Sequence, residues 1–267
     1  MVLIRHCSSL NSPTVVACYN FKNKMIPKII HYIWFGTGDL PASVKQTVGS
    51  WKEILPDYEI LEWTEKNFDV TQNEWMLRMH NEGKFAFASD WARLKILEGH
   101  GGIYLDTDVE IFKSFEPFLS QKMIWGFEYD CYLATCMIGS IPGHPLLAQL
   151  LQEYDNRTDA TINNTVVTKF FLHNFPYFKL NNTEQQLHDG IQVMPKEYFS
   201  VPSHDPKASF CRHHGTNFWR DGGKGGSRLK LLVRRILGEV FYFKLAAWNV
   251  CRKNEFLPTL REHRKSK

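Results

Sequence analysis

One window of the sequence, residues 84–108, constrains the fold more than any other. Apolar residues recur at helical spacing over residues 84–99, and the pair Gly101-Gly102 then ends the helix. The apolar run at residues 103–105 is typical of a buried strand, and it ends in Asp106-Thr107-Asp108. A helix that turns directly into a buried strand with two carboxylates at its end is typical of α/β folds, which bind ligands beyond the carboxyl ends of their strands.

Helices and strands alternate through the first 150 residues. The sequence predicts strands over residues 25–36, 58–63, 123–127, 132–138 and 191–194, and further helices from Pro41 to residue 55 and over 145–154. This alternation favours an α/β fold in which helices flank a mostly parallel sheet.

The length and composition indicate one globular domain with an appendage. The chain has 267 residues, of which 43% are hydrophobic, so it can bury a sizeable core. A net charge of +4 is too small to indicate a nucleic-acid partner. We expect an N-terminal extension over residues 1–24, an α/β domain over 25–227 and a helical appendage over 228–267.

The appendage carries the positive charge. Residues 228–267 hold 11 Lys and Arg against three Glu, whereas the first 227 residues hold 21 basic against 25 acidic residues. Apolar residues recur at helical spacing over 228–250, but Arg234, Arg235 and Lys244 interrupt them, so this segment cannot span a bilayer. A basic amphipathic helix over 228–253 either lies on an anionic membrane surface or packs on the core with its cations in water. Both alternatives stay open.

The six cysteines do not form a recognisable framework. The one close pair, Cys131 and Cys136, fits neither a CxxC redox motif nor a usual zinc knuckle. The first 24 residues lack the basic and apolar pattern of a signal peptide. We therefore expect reduced thiols in a cytoplasmic protein. Peripheral contact with the inner face of the plasma membrane belongs to the first of the two alternatives for the basic helix.

The carboxylates of Asp106 and Asp108 are candidate metal ligands. Two hard oxygen donors one residue apart can hold Mg²⁺ or Mn²⁺, which neutralises a diphosphate and assists its departure. Asp90 and Arg93, three residues apart on the predicted helix, can accept hydrogen bonds from sugar hydroxyls and donate to an anion. Either pattern alone is common on protein surfaces. Together on one short segment they indicate a binding site.

Three segments of the chain resemble the DXD-containing family 32 glycosyltransferases, which include yeast outer-chain mannosyltransferases and bacterial capsule and lipopolysaccharide enzymes. Residues 26–36 are similar to the family's opening strand, and residues 89–108 resemble its sugar and metal motif with the spacing intact. Residues 213–219 resemble its late motif, except that Asn217 or Phe218 stands where a serine is usual. More distantly, the large clostridial glucosylating toxins share the DXD region.

The resemblance implies a GT-A fold, a catalytic domain over 25–227 and retaining transfer of a hexose from a nucleotide sugar. Asp90, Arg93, Asp106 and Asp108 become the expected catalytic residues. The implied donor contacts are Trp34 on the base, Ser89, Asp90 and Arg93 around the sugar, Tyr104 lining the pocket, Asp106 at the ribose or sugar, and Trp219 at the diphosphate. Asp106 and Asp108 become the expected ligands of Mn²⁺ or Mg²⁺, with His214 and Asn217 completing the metal shell.

The resemblance also sets expectations for the partners. We expect a UDP-sugar rather than a GDP-sugar donor, and a lipid-linked glycan acceptor in capsule, O-antigen or lipopolysaccharide biosynthesis. Retention is expected to proceed by front-face attack, in which the departing phosphate takes the proton of the acceptor hydroxyl. A non-catalytic nucleotide-sugar or carbohydrate-binding protein is the alternative that stays open. A phosphohydrolase of the haloacid-dehalogenase type is disfavoured, because Glu110 stands where that class has Thr or Val.

Overall fold

The computed structural model describes residues 25–36, 38–203, 205, 207–215, 235–236 and 238–265. The predicted extension over residues 1–24 lies outside this part. Within it the strands are β1 (Ile29–Ile33), β2 (Glu59–Trp63), β3 (Gly102–Leu105), β4 (Val109–Ile111), β5 (Met123–Tyr129), β6 (Tyr132–Leu133), β7 (Met137–Ser140), β8 (Gln185–Gln186), β9 (Ile191–Met194) and β10 (Cys211–His213). The helices are α1 (Ala42–Ile54), α2 (Glu74–Asn81), α3 (Phe85–His100), α4 (Pro145–Gln152), α5 (Asn163–Asn174), α6 (Lys196–Phe199), α7 (Glu239–Arg252) and α8 (Leu257–Lys265).

The main sheet has the strand order β2-β1-β3-β7-β5-β9-β8, with β6 paired to β5. Strands β2, β1, β3, β5 and β9 run in one direction. Strands β6, β7 and β8 run against their neighbours. Within the described part of the chain the sheet is therefore mixed but mostly parallel, and the predicted α/β class is confirmed.

Strand β3 divides the apolar interior between the two faces of the sheet. Its side chains alternate, so Tyr104 packs in the cluster that contains much of α2 to α5, whereas Ile103 and Leu105 pack in the cluster that contains Trp51 of α1. Trp51 and these three residues of β3 are all buried. The DXD motif, residues 106–108, thus follows a strand that is fixed from both sides.

A short two-stranded sheet lies beside the DXD motif. Strand β4 pairs antiparallel with β10, and Val109 is opposite His213. The chain leaves β3 at Leu105, turns through the DXD motif and enters β4 at once. This pairing brings the late segment of the sequence back to the carboxyl end of β3.

Some elements depart from the sequence-based expectation. The predicted strand over 132–138 is two strands, β6 and β7, with residues 134–136 between them. Helices α2 and α5 and strands β4 and β10 were not predicted. Asn73 caps the N-terminus of α2, where its side chain accepts a hydrogen bond from the backbone N–H of Met76 at 3.0 Å.

The C-terminal helices pack against the α/β domain. Phe256 and Leu260 are buried in the main apolar cluster, and a disulfide joins Cys131, between β5 and β6, to Cys251 in α7. The expectation of reduced thiols is therefore wrong for this pair, because the packing of α7 brings the two Cα atoms to 5.6 Å. Cys136 and Cys211 are buried free thiols, and Cys7 and Cys18 lie outside the described residues. None of the described helices is long and apolar enough to cross a membrane.

Candidate active site

Helix α3 places Ser89, Asp90 and Arg93 beneath the end of β3. All three side chains are buried, including both charged ones. The helix can turn straight into β3 because Gly101 and Gly102 adopt φ values of +64° and +93°. A Cβ at residue 102 would lie 2.7 Å from the backbone oxygen of Ile29, so the turn excludes larger residues.

Arg93 is the centre of a buried network. Its Nη2 lies 2.8 Å from Oδ1 of Asp90 and its Nη1 lies 3.3 Å from Oδ1 of Asp106. The guanidinium also donates to Oγ of Ser89 at 3.0 Å and to the backbone oxygen of Thr135 at 2.8 Å. Its Cζ lies 4.6 Å from the ring centroid of Tyr104. These contacts fix one cation between two carboxylates.

The electrostatics of this network follow from its burial. Burial raises the pKa of Asp90 to about 7; the nearby Arg93 opposes this shift and the charge of Asp106 adds to it. Burial also raises the pKa of Tyr104 well above its usual value, and its hydroxyl donates to Oδ1 of Asp106 at 2.8 Å. Tyr104 is therefore a neutral hydrogen-bond donor that orients the first DXD aspartate.

His213, at the end of β10, faces both DXD aspartates. Its Nε2 lies 3.3 Å from Oδ1 of Asp108 and 3.9 Å from Oδ2 of Asp106. On the other side of the ring, Nδ1 lies 3.2 Å from Oε1 of Glu128. Burial acts to lower the pKa of His213, but Cys136, Asp108 and Glu128 raise it well above the ordinary value.

This donor set fits a divalent cation. One ligand atom each from Asp106, Asp108 and His213 lies within 4.8 Å of the other two. A carboxylate behind a ligating imidazole is the usual way in which proteins orient a metal-binding histidine, and Glu128 occupies that position. Two carboxylates with one imidazole suit Mn²⁺ better than Mg²⁺, because Mg²⁺ prefers oxygen ligands throughout.

Trp34 lies at the same edge of the sheet as the DXD motif. It follows β1, which runs parallel to β3 with His31 opposite Tyr104. Its side chain is partly buried, and its indole N–H donates to the backbone oxygen of Gly38 at 3.2 Å. The carboxyl ends of parallel strands thus bring Trp34 and Asp106 to one edge.

Comparison with known proteins finds a family that resembles the DXD region of the chain. Residues 41–125, which include α3, β3 and the DXD motif, match the family model described as the glycosyltransferase sugar-binding region containing the DXD motif. This part of the chain is similar to that glycosyltransferase family. The α/β fold class expected from the sequence agrees with the observed sheet, and the GT-A-like arrangement stays a prediction.

Several glycosyltransferases of known sequence are similar to the chain. It is 30% identical over 138 residues to inositol phosphoceramide mannosyltransferase 3 of Schizosaccharomyces pombe, covering 50% of this chain and 38% of that protein. It is 29% identical over 178 residues to an uncharacterized glycosyltransferase, L373, of Acanthamoeba polyphaga mimivirus, covering 59% of this chain and 68% of that protein. The chain thus spans well under half the length of the yeast relative.

Solved glycosyltransferase structures show weaker likeness. The PaToxG glycosyltransferase matches with a TM-score of 0.45 and 19% identity, covering 57% of this chain and 70% of that one. The galactosyltransferase LgtC, solved with donor and acceptor sugar analogs, matches with a TM-score of 0.40 and 12% identity. The match covers 83% of this chain and 96% of that one.

Not all of the site residues predicted from the sequence lie together in the structure. The structure brings together Ser89, Asp90, Arg93, Tyr104, Asp106 and Asp108. His214 does not join them: its Nε2 lies 3.0 Å from Oε2 of Glu110, while its backbone N–H donates to the backbone oxygen of Asp108 at 3.1 Å. Asn217 and Trp219 lie outside the described residues.

Two residues of the site were missed in the sequence. His213 stands beside the predicted His214, but it is the last residue of β10 whereas His214 follows the strand, so identifying where β10 ends would have distinguished them. Glu128 directly follows the predicted strand over 123–127, but nothing in its local pattern distinguishes it from a solvated glutamate. Only the return of β10 to the DXD motif brings it into the site.

Proposed function

We propose that this chain transfers a hexose from a nucleotide diphosphate sugar to a hydroxyl group of an acceptor, with Mn²⁺ or Mg²⁺ as the cofactor. The observation that carries the proposal is the convergence of Asp106, Asp108 and His213 at the point where Arg93 and Asp90 also arrive. A site for a cation and a site for polyhydroxyl recognition thereby share one aspartate, Asp106.

Asp106, Asp108 and His213 are the residues proposed to hold the metal. When bound, the ion would supply positive charge to a diphosphate leaving group. Two neighbouring side chains orient these proposed ligands. Glu128 holds the imidazole of His213 toward the aspartates, and Tyr104 holds the carboxylate of Asp106.

Asp90 and Arg93 are proposed to bind the transferred sugar. The carboxylate of Asp90 would accept hydrogen bonds from sugar hydroxyls, while Arg93 keeps Asp90 and Asp106 at fixed separation. Trp34, at the same edge, is proposed to stack on the nucleotide base. Ser89 supports the arrangement by accepting a hydrogen bond from Arg93.

We propose transfer with retention by front-face attack. The bond between the anomeric carbon and the diphosphate oxygen breaks, the acceptor oxygen bonds to that carbon on the same face, and the hydroxyl proton passes to the departing phosphate oxygen. No covalent sugar–enzyme bond forms. Of the described carboxylates at the site, Asp90 pairs with Arg93 and Glu128 pairs with His213. A glycosylated peptide containing either residue, found by mass spectrometry after donor incubation, would overturn the front-face route.

For the donor we propose a UDP-hexose. GDP-mannose is the alternative donor that the screen below compares with it. For the acceptor we propose a lipid-linked hydroxyl. The acceptor proposal is supported by the printed name of the fission yeast relative, in which the mannosyl acceptor is an inositol phosphoceramide. The capsule, O-antigen or lipopolysaccharide pathway stays a prediction from the resemblance. The cytoplasmic localisation stays a prediction from the cysteine pattern and from the first 24 residues.

A donor screen tests the proposal. Hydrolysis of UDP- and GDP-sugars is measured with Mn²⁺, with Mg²⁺ and after chelation, for the wild type and for Asp108→Asn. The matched control is Asp189→Asn, because Asp189 is exposed and its φ of +60° is one that Asn also adopts. Nucleotide-sugar binding without any hydrolysis or transfer would favour the non-catalytic alternative.

A further inference from the structure

Helix α7 has two apolar faces. Ala247 and Cys251 are buried against the domain, as expected for a helix packed on a core. On the other side Phe241, Leu245 and Trp248 are 51%, 44% and 60% exposed. Their spacing of four and three residues places them on one stripe along the helix. We call these three residues the α7 stripe.

The orientation of the α7 stripe is fixed relative to the active site. The disulfide from Cys251 to Cys131 holds the C-terminal half of the helix. At the other end, Glu239 pairs with Arg212 of β10 at 2.6 Å, and Arg212 pairs with Glu110 of β4 at 2.8 Å. Strands β4 and β10 are the ones that bring His213 to the DXD motif.

The surroundings of the stripe are basic. Lys244 and Arg252 are exposed on the same side of the helix, and the guanidinium of Arg252 lies 4.7 Å from the ring of Trp248. In the sequence, residues 228–267 carry 11 basic residues against three acidic ones. Large apolar side chains that are exposed together on one helix face mark interaction surfaces, and the surrounding charge selects an anionic partner.

We propose that the α7 stripe docks this protein on an anionic lipid bilayer. Phe241, Leu245 and Trp248 enter the region between headgroups and acyl chains, where aromatic side chains are well accommodated, while Lys244 and Arg252 meet the headgroup phosphates. The arrangement would hold the active site at a fixed orientation to a membrane that carries the acceptor. This inference rests on the proposed function only for the nature of that acceptor.

Vesicle flotation without donor or acceptor tests the docking directly. The wild type is expected to float with phosphatidylcholine vesicles that contain phosphatidylserine, and much less with phosphatidylcholine alone. The triple variant Phe241→Gln, Leu245→Gln and Trp248→Gln keeps good helix-forming residues and is expected to lose binding by at least about tenfold. A second variant, Lys244→Gln with Arg252→Gln, is expected to weaken binding about tenfold and to reduce its salt dependence.

Tyr177→Gln is the matched control, because Tyr177 is 88% exposed and lies far from α7 in the sequence. It is expected to bind vesicles like the wild type. Metal-dependent donor hydrolysis in the absence of vesicles should be the same in all these variants, which separates failed docking from failed catalysis. Vesicle binding that survives in the triple variant, or absence of binding in the wild type, would overturn the proposal. The proposal would also be overturned if light scattering shows that the wild type is a dimer and the triple variant a monomer, while neither protein floats with vesicles.

Discussion

Nη1 of Arg93 lies 3.3 Å from Oδ1 of Asp106, and this contact joins helix α3 to the DXD motif. The same guanidinium pairs with Asp90, so the candidate sugar-binding and metal-binding carboxylates share one cation. The cation is buried and always charged. Its removal would leave two carboxylates close together without compensation.

Arg93→Met is therefore expected to destabilise the fold by about 3 kcal/mol, the usual cost of removing one partner from a buried ion pair. Arg93→Lys keeps the charge but cannot make the forked contacts to Asp90, Ser89 and Asp106, so an intermediate loss is expected. Urea unfolding measures both. Equal stability of Arg93→Met and the wild type would contradict this role.

Asp90→Asn is expected to separate function from stability. Burial already raises the pKa of Asp90 to about 7, so the fold tolerates a neutral side chain there, and Arg93 keeps Asp106 as a partner. We expect unfolding free energy within about 1 kcal/mol of the wild type, with donor turnover reduced by about a hundredfold or more. Turnover close to that of the wild type would show that Asp90 does not bind the sugar.

Glu128→Gln tests the carboxylate behind His213. The substitution keeps the shape but removes the charge that holds the Nδ1 proton, so Mn²⁺ affinity is expected to fall by about 10- to 100-fold. Calorimetric titration with Mn²⁺ measures this without any donor. His213→Ala should lose more affinity, whereas His214→Gln should change it little, because His214 pairs with Glu110. The reverse order of the two histidine variants would restore His214 as the metal ligand.

His31 is expected to make stability depend on pH. Its Nε2 lies 2.8 Å from the backbone oxygen of Gly101, and its Nδ1 accepts from the indole N–H of Trp63 at 3.1 Å. Both ring nitrogens are thus satisfied in the neutral form, and burial lowers the pKa to about 3. Because the unfolded chain binds the proton more readily, the His31 contribution is full above about pH 6.5 and is lost as the pH falls toward 3.

The expected loss is about 1.4 kcal/mol per pH unit within that window. His31→Gln retains an N–H donor for Gly101 but does not titrate, so it serves as the comparison. Urea unfolding of both proteins between about pH 7 and pH 5 should give a steeper decline for the wild type. An equal decrease in the free energy of unfolding in the wild type and in His31→Gln would contradict this role of His31.

The disulfide between Cys131 and Cys251 closes a loop of 120 residues. For a loop of this length the chain-entropy estimate of its stabilising effect is about 4–5 kcal/mol. The double variant Cys131→Ser and Cys251→Ser should therefore unfold at lower urea, and the wild type in reducing agent should match it. Non-reducing peptide mapping that finds both cysteines as free thiols in the purified protein would contradict the pairing.

Local patterns predicted the part of the site that is local in sequence. The helix, the two glycines and the apolar strand that ends in Asp106 are encoded within about 25 neighbouring residues. Contacts between distant segments were not predictable in the same way. The choice between His213 and His214 depends on the pairing of β10 with β4, about 100 residues apart, and Cys131 meets Cys251 only through the packing of α7.

The basic appendage shows the same limit. Helical periodicity predicted an amphipathic helix that includes Phe241, Leu245 and Trp248. Periodicity places all its apolar residues in one broad arc, whereas packing divides them, with Ala247 and Cys251 inward and the α7 stripe outward. Which part of an apolar arc is buried depends on the tertiary contacts of the helix.

Donor hydrolysis in the presence and absence of Mn²⁺, compared between the wild type and Asp108→Asn, tests the central claim most directly. The account predicts hydrolysis by the wild type that chelation abolishes and that Mn²⁺ restores, with a loss of at least about a hundredfold in Asp108→Asn at unchanged stability. Asp189→Asn should match the wild type. Hydrolysis that persists after chelation and in Asp108→Asn would contradict the account.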